Sequence, residues 1–192
     1  MIHNGIDYPY IDKILLSEEQ IAETVKRLAD QISADYAKDP DHRLVLLCIL
    51  KGSVVFMGDL MKTISIPVEI DFMRVSSYVD GTKSSGNINI ILDLNRKDLK
   101  DSDILIVEDI VDSGNTLKFL VDHIKAKGAK SVKTCAFLDK PSRRKIDINP
   151  DYVGKEIPDK FVFGYGLDLF EKYRDLPYVA VVSPEYLATR GL

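Results

Sequence analysis

Apolar positions recur every three or four residues from Ile21 through Val25, Leu28 and Ile32 to Tyr36. That is the spacing of one buried face on an α-helix. Ser17 and Gln20, three residues apart ahead of the run, have the form of a capping box, so the helix is expected to start at Ser17 and stop before Pro40. The pattern then changes. Residues 43–50, RLVLLCIL, are almost continuously apolar and bounded by Gly52, as a strand covered on both faces should be. SVVFMGDLMKTI reads as the next helix and VEIDFMRVSSY as the next strand, together a βαβ unit. Residues 79–86, VDGTKSSG, are polar and aperiodic. A long mobile loop is expected there, its flanks able to form a hairpin arm, with a strand following over NINIILDL.

DILIVED, NTLKFLVDHIKAKG and SVKTCAFLD read as strand, helix and strand, with Gly128 at the helix end. Shorter strands are expected at KFVFGYG and PYVAVVS. Short apolar strands alternating with helices predict an α/β fold, a parallel-rich central sheet flanked by helices. No repeat, low-complexity tract or linker divides the 192 residues, so one domain is expected.

Composition narrows the partners. Hydrophobic residues make up 45% and charged residues 29%, ordinary for a globular protein. The net charge of −4 argues against a general binder of nucleic acid or of a membrane surface. Cys48 and Cys135 lie inside apolar runs with no CxxC pair, and read as buried inert thiols. His3, His42 and His123 are scattered and mark no site. There is neither a secretory pattern at the N-terminus nor an apolar run of spanning length, so a cytoplasmic location is expected.

The chemistry concentrates in ILIVEDIVDSGNTL, residues 104–117. Glu108 and Asp109 stand at the carboxyl end of an apolar strand, where ligands of open parallel sheets collect. Asp112 begins the turn. Ser113, Gly114, Asn115 and Thr116 lead into a helix, and their backbone N–H groups, helped by the helix dipole, suit a phosphate. Carboxylates repel phosphate, so the pairing makes sense for a ligand with both a phosphate and a sugar diol, the acids accepting from hydroxyls directly or through a divalent cation.

VEDIVDSGNTL resembles the phosphoribosyl-diphosphate motif of the type I phosphoribosyltransferases, more narrowly that of the bacterial hypoxanthine and hypoxanthine–guanine members. The resemblance extends through ILKGSVVFMGDL, SSYVDGTKSSG, FLDKPSRR and EIPDKFVFGYGLDLFEKYRDLPYV, nearly the whole chain. It implies a core over about residues 40–150, with a small hood from the N-terminal segment and about residues 151–192. The implied reaction moves 5-phosphoribosyl from phosphoribosyl diphosphate to N9 of hypoxanthine and guanine, giving IMP or GMP and diphosphate. Mg²⁺ is the implied cofactor, and a homodimer or homotetramer the implied assembly.

The resemblance also assigns roles. Glu108 and Asp109 grip the ribose hydroxyls, partly through Mg²⁺. Ser113, Gly114, Asn115 and Thr116 bind the 5′-phosphate. Lys51 and Gly52, near a cis or switchable peptide, face the diphosphate with Arg174, and Asp168 serves a second Mg²⁺. Asp112 becomes the general base for the purine N7 proton in preference to the alternative, a cap on the following helix, and the two roles are compatible. Lys140 donates to a 6-oxo group and would repel the amino group of adenine. Phe161 stacks on the purine and the backbone of Val162 reads its edge; alternation alone does not separate Phe161 from Phe163. Ser77 and Tyr78 belong to a mobile loop that closes over the reacting centre. The basic run PSRRK is expected to be a solvated or subunit-contact loop. Two other classes compete. A nucleic-acid-binding regulator on this fold should show a basic face, and a P-loop NTPase should show GK[ST], which is missing.

Overall fold

The computed structural model describes residues 2–3, 6–8, 10–80 and 83–191, and side chains at 8, 10–76 and 88–191. Strands β1 (Ile2–His3) and β2 (Ile6–Asp7) form a short hairpin, followed by β3 (Ile11–Leu16) and helix α1 (Glu18–Tyr36). Ser17 Oγ accepts from the Gln20 N–H at 3.3 Å and Gln20 Oε1 accepts from the Ser17 N–H at 3.0 Å, so the capping box forms as expected. The predicted face Ile21, Val25, Leu28, Ile32 and Tyr36 is buried.

Strand β4 (Leu44–Leu50), helix α2 (Val54–Thr63) and strand β5 (Glu69–Asp80) make the first βαβ unit. Strand β6 (Lys83–Leu92) returns antiparallel to β5. The expected loop over residues 79–86 is therefore drawn largely into a hairpin, of which Gly81 and Thr82 lie outside the described residues. Polar residues without period carry no burial signal, yet backbone pairing does not require one. Ser77 of β5 pairs with Ile88 of β6; the side chains of Ser77 and Tyr78 lie outside the described residues.

Strand β7 (Asp103–Val111), helix α3 (Asn115–Ala126), strand β8 (Ser131–Asp139) and strand β9 (Tyr152–Glu156) complete the main sheet, in the order β6-β5-β4-β7-β8-β9. All neighbours but β5 and β6 are parallel. No expectation covered β9. It contains Gly154, whose added Cβ would lie 2.3 Å from the Phe137 carbonyl oxygen on β8. A strand glycine of this kind admits a close backbone and weakens the apolar signal.

Alternation along β4 feeds two cores. Leu44, Leu46 and Cys48 pack with α1 and α2, while Val45, Leu47 and Ile49 pack with Leu120 and Ile124 of α3. Both cysteines are free and buried, and burial pushes the Cys135 thiol far above its usual range. A second, antiparallel sheet joins the two ends of the chain: β10 (Val162–Phe163), β11 (Val179–Val182) and β3, with the short helix α4 (Pro184–Ala188) following. The strand expected over residues 160–166 shrinks to two residues. Gly164, Tyr165 and Gly166 adopt positive φ and turn the chain away. Phe161 thus falls before the strand and is 46% exposed, whereas Phe163 is buried.

Strand order explains where a ligand can sit. From β4 the chain moves outward to β5, whereas from β7 it moves the other way to β8 and β9. The β4–β7 boundary is a topological switch point, where loops diverge above the strand ends and leave a crevice. Pairing with β4 stops at Cys48–Val107, while pairing with β8 continues to Val111–Asp139. Beyond Val107, one edge of β7 lines that crevice.

Candidate active site at the switch point

Glu108 and Asp109 lie on that free stretch of β7. Consecutive strand residues point to opposite faces, and the two acids diverge accordingly. Glu108 lines a hollow of about 100 Å³ with Ile110, Asp112, Ser113, Gly114 and Thr116, whereas Asp109 lines a neighbouring cleft of about 500 Å³. Ile110 and Asp112 border both. Among the described residues neither carboxylate forms an ion pair. Burial, then the charge of Asp109, raises Glu108 well above the usual carboxylate range. Asp109 is pushed up to about 6 by burial, against the lowering effect of backbone hydrogen bonds and Arg174. Buried acids without a protein cation suit a bound one. No group of three or more His, Cys, Asp or Glu able to hold a metal occurs among the described residues. A cation that keeps a shell of water and ligand oxygens fits such a pair; one needing an all-protein cage does not.

The small hollow is the mouth of α3. Gly114 is its N-cap with φ 86°, a left-handed conformation, and no side chain caps the helix from that position. Ser113 Oγ accepts from the Asn115 N–H at a long 3.4 Å. The first turn therefore keeps most of its donors for an anion. An added Cβ on Gly114 would stand 2.8 Å from Ile148 Cγ2 and 2.9 Å from Arg144 Cδ, so the residues after β8 close the back of this loop.

The larger cleft gathers Lys140, Phe161, Val162 and Asp168 around Asp109 and Asp112. Lys140, just beyond β8, is buried, and among the described residues it pairs with no carboxylate. Its ammonium is left for a ligand acceptor. Asp112 Oδ1 accepts from Arg143 Nε at 3.1 Å, and Arg143 Nη1 lies 3.5 Å from Asp159 Oδ2. Arg144 donates to the Asp112 carbonyl at 2.6 Å and pairs with the buried Asp139. The basic run is largely exposed, as a solvated loop should be, and its two arginines are in addition tied to the acid-bearing turn. The signal was present as a basic run immediately after Lys140, facing three acids elsewhere in the chain.

On the β4 side, the Leu50–Lys51 peptide is cis, one bond before Lys51–Gly52. A Cβ on Gly52 would sit 1.4 Å from Asp109 Oδ2, and one on Gly166 would sit 2.1 Å from the Gly52 carbonyl oxygen. Gly52 is therefore held between the Asp109 side chain and the Gly166 backbone with no room for a side chain of its own. Arg174 donates to the Gly166 carbonyl at 2.9 Å and pairs with Asp168 at 2.9 Å. Lys51 Nζ donates to Glu171 Oε2 at 2.6 Å. Glu171 was not among the expected site residues, because its connection to Lys51 is across the fold rather than along the chain.

Comparison with known proteins agrees with this geometry. A family model described as the phosphoribosyl transferase domain matches residues 13–169. A hypoxanthine-guanine phosphoribosyltransferase of Bacillus subtilis (strain 168) is 49% identical over 174 residues, covering 91% of this chain and 94% of that protein. The bifunctional protein TilS/HprT of Listeria innocua is 48% identical over 176 residues, 91% of this chain, but the chain spans only 26% of its length. A solved hypoxanthine phosphoribosyltransferase from Staphylococcus aureus superposes with TM-score 0.86 at 46% identity, over 92% of this chain and 94% of that one. One from Trypanosoma cruzi gives TM-score 0.89 at 38% identity, over 97% and 98%. The acid-bearing strand end and open helix mouth that suggested a sugar-phosphate ligand thus lie within a matched domain covering most of the sequence, and the chain belongs to the phosphoribosyl transferase family.

Proposed function

We propose that this chain transfers 5-phosphoribosyl from phosphoribosyl diphosphate to N9 of hypoxanthine and of guanine, releasing diphosphate and giving IMP or GMP. The observation that carries this is the adjacency of two hollows that share Asp112. One is a phosphate-sized mouth at α3; the other is a cleft with Lys140 and Phe161 that suits a 6-oxopurine.

In this reading the residues at 113–116 hold the 5′-phosphate through backbone donors. Glu108 and Asp109 hold the ribose side of the ligand. Phe161 lies against the purine face, the Val162 backbone meets its edge, and Lys140 donates to the 6-oxo oxygen. As N9 bonds to the anomeric carbon, the bond from that carbon to the diphosphate oxygen breaks. The sugar passes through an oxocarbenium-like state, and the N7 proton goes to Asp112. Arg143 engages one oxygen of Asp112, which leaves the other to face the purine. Lys51, Gly52 and Arg174 take up the departing diphosphate. Mg²⁺, when bound, would offset the diphosphate charge; Glu108, Asp109 and Asp168 are the residues that would hold it. The hairpin carrying Ser77 and Tyr78 is assigned the exclusion of water.

Location in the cytoplasm and assembly as a dimer or tetramer go with this reading. No helix among the described residues is long and apolar enough to cross a membrane. The test is incubation with Mg²⁺, phosphoribosyl diphosphate and each of hypoxanthine, guanine, xanthine and adenine. Nucleotide and diphosphate should form with the first two and not with adenine. Asp112→Asn should cut turnover far more than it weakens phosphoribosyl diphosphate binding, and equal losses would remove it as the base.

A further inference from the structure

The groups assigned to the leaving diphosphate are already joined to one carboxylate. Glu171 Oε2 accepts from Lys51 Nζ at 2.6 Å and stands 3.7 Å from Arg174 Nη2. The Glu171 backbone N–H donates to Asp168 Oδ2 at 2.9 Å, and Arg174 Nη2 pairs with Asp168 Oδ1 at 2.9 Å. One residue thus touches Lys51, Asp168 and Arg174. The local backbone is shaped for this. Phe170 and Glu171 adopt φ of 54° and 64°, a left-handed conformation uncommon outside glycine and concentrated at functional sites. Leu169 and Lys172 pair across the turn, and the Phe170 ring packs against Tyr186 and under Arg190. The turn is anchored on one side and presents Glu171 on the other.

We propose that the Glu171 carboxylate is a resident counter-anion, standing between Lys51 and Arg174 where the leaving diphosphate binds and exchanging with it at each turnover. The inference rests on the diphosphate reading of Lys51 and Arg174 and deepens it. Arg174 already pairs with Asp168, and Glu171 adds a longer contact to it, whereas Glu171 is the ion-pair partner of Lys51 among the described residues; it offsets the Lys51 charge and keeps the notch assembled. An ordinary glutamate is an anion at neutral pH, and Glu171 lies within ion-pair distance of Lys51. Its side chain is 68% exposed, and an exposed pair is weak enough to be displaced by a ligand with more charge and more acceptor oxygens. Glu171 therefore acts as a competitor that lowers diphosphate affinity and favours product release.

The test is calorimetric titration of inorganic diphosphate, with Mg²⁺ present, into the wild type, Glu171→Gln, Lys51→Ala, Arg174→Ala and the Lys51→Ala/Glu171→Gln double variant. Gln retains the backbone N–H that binds Asp168, so the turn is preserved. Glu171→Gln should tighten diphosphate about two- to fivefold, the scale of an exposed ion pair, and the gain should vanish when Lys51 is absent. Unchanged or weaker binding by Glu171→Gln would overturn the proposal. So would an equal gain without Lys51, which is what simple charge repulsion predicts. If Lys51→Ala and Arg174→Ala bind diphosphate as well as the wild type, the diphosphate reading itself falls.

Discussion

Adding one methyl group at Gly52 should disable the site while leaving most of the fold in place. The Cβ of Gly52→Ala would lie 1.4 Å from Asp109 Oδ2 and 2.5 Å from its Cγ. Ordinary contact between such atoms is about 3.5 Å, so roughly 2 Å must be found. Asp109 cannot yield without leaving its place at the switch point. Gly52 cannot retreat freely either, since its carbonyl abuts Gly166, where an added Cβ would be at 2.1 Å. Overpacking of this kind costs about 1–3 kcal/mol, and for a chain of this size each kcal/mol lowers Tm by about 2–4 °C. The effect on rate should be larger. A displacement of about 1 Å in a positioning group can cost about 10²-fold, so kcat/KM for phosphoribosyl diphosphate should fall at least that far. Initial rates and thermal melts measure both, with Gly58→Ala on α2 as control, because nothing lies within 4 Å of its added Cβ. Gly52→Ala/Asp109→Ala should recover Tm without recovering rate. A Gly52→Ala enzyme with wild-type kcat/KM would refute the claim that this close approach builds the site.

Three other outcomes follow from the same geometry. Asp109 is raised to about 6 by burial, so its proton is favoured by folding; the cost of holding it ionised is absent below its unfolded pKa near 4, grows between about 4 and 6, and is complete above. Metal-free Asp109→Asn should therefore melt higher than the wild type at pH 8 and alike at pH 3.5, and Mg²⁺ should bind the wild type more tightly at pH 7 than at pH 5, read by calorimetry. Gly114→Ala places a β-carbon in a left-handed cap against Ile148 and Arg144, a backbone cost of about 1–2 kcal/mol, and should raise KM for phosphoribosyl diphosphate more than KM for the purine. Lys140→Ala should reduce preference for 6-oxopurines over adenine by about tenfold or more, the loss of one charge-assisted hydrogen bond; competition between hypoxanthine and adenine measures it.

The sequence by itself determined the elements whose signal is local. The α1 face and its Ser17–Gln20 cap, the doubly buried β4, and the acid-then-small loop from Glu108 to Thr116 were legible because burial, capping and loop chemistry are written in residues a few positions apart. Strand β9 escaped because Gly154 exchanges apolar surface for close approach to β8. The β5–β6 hairpin was only partly legible because polar side chains do not encode backbone pairing. Tertiary structure decided the rest. Reversal of strand order between β4 and β7 opens the crevice, seats Gly52 on Asp109 and brings Lys51 to Glu171, 120 residues away. It also brings the exposed PSRRK run against the turn that carries Asp112. Such contacts depend on which strands become neighbours, and that choice is made by the packing of the whole sheet rather than by any short stretch of chain.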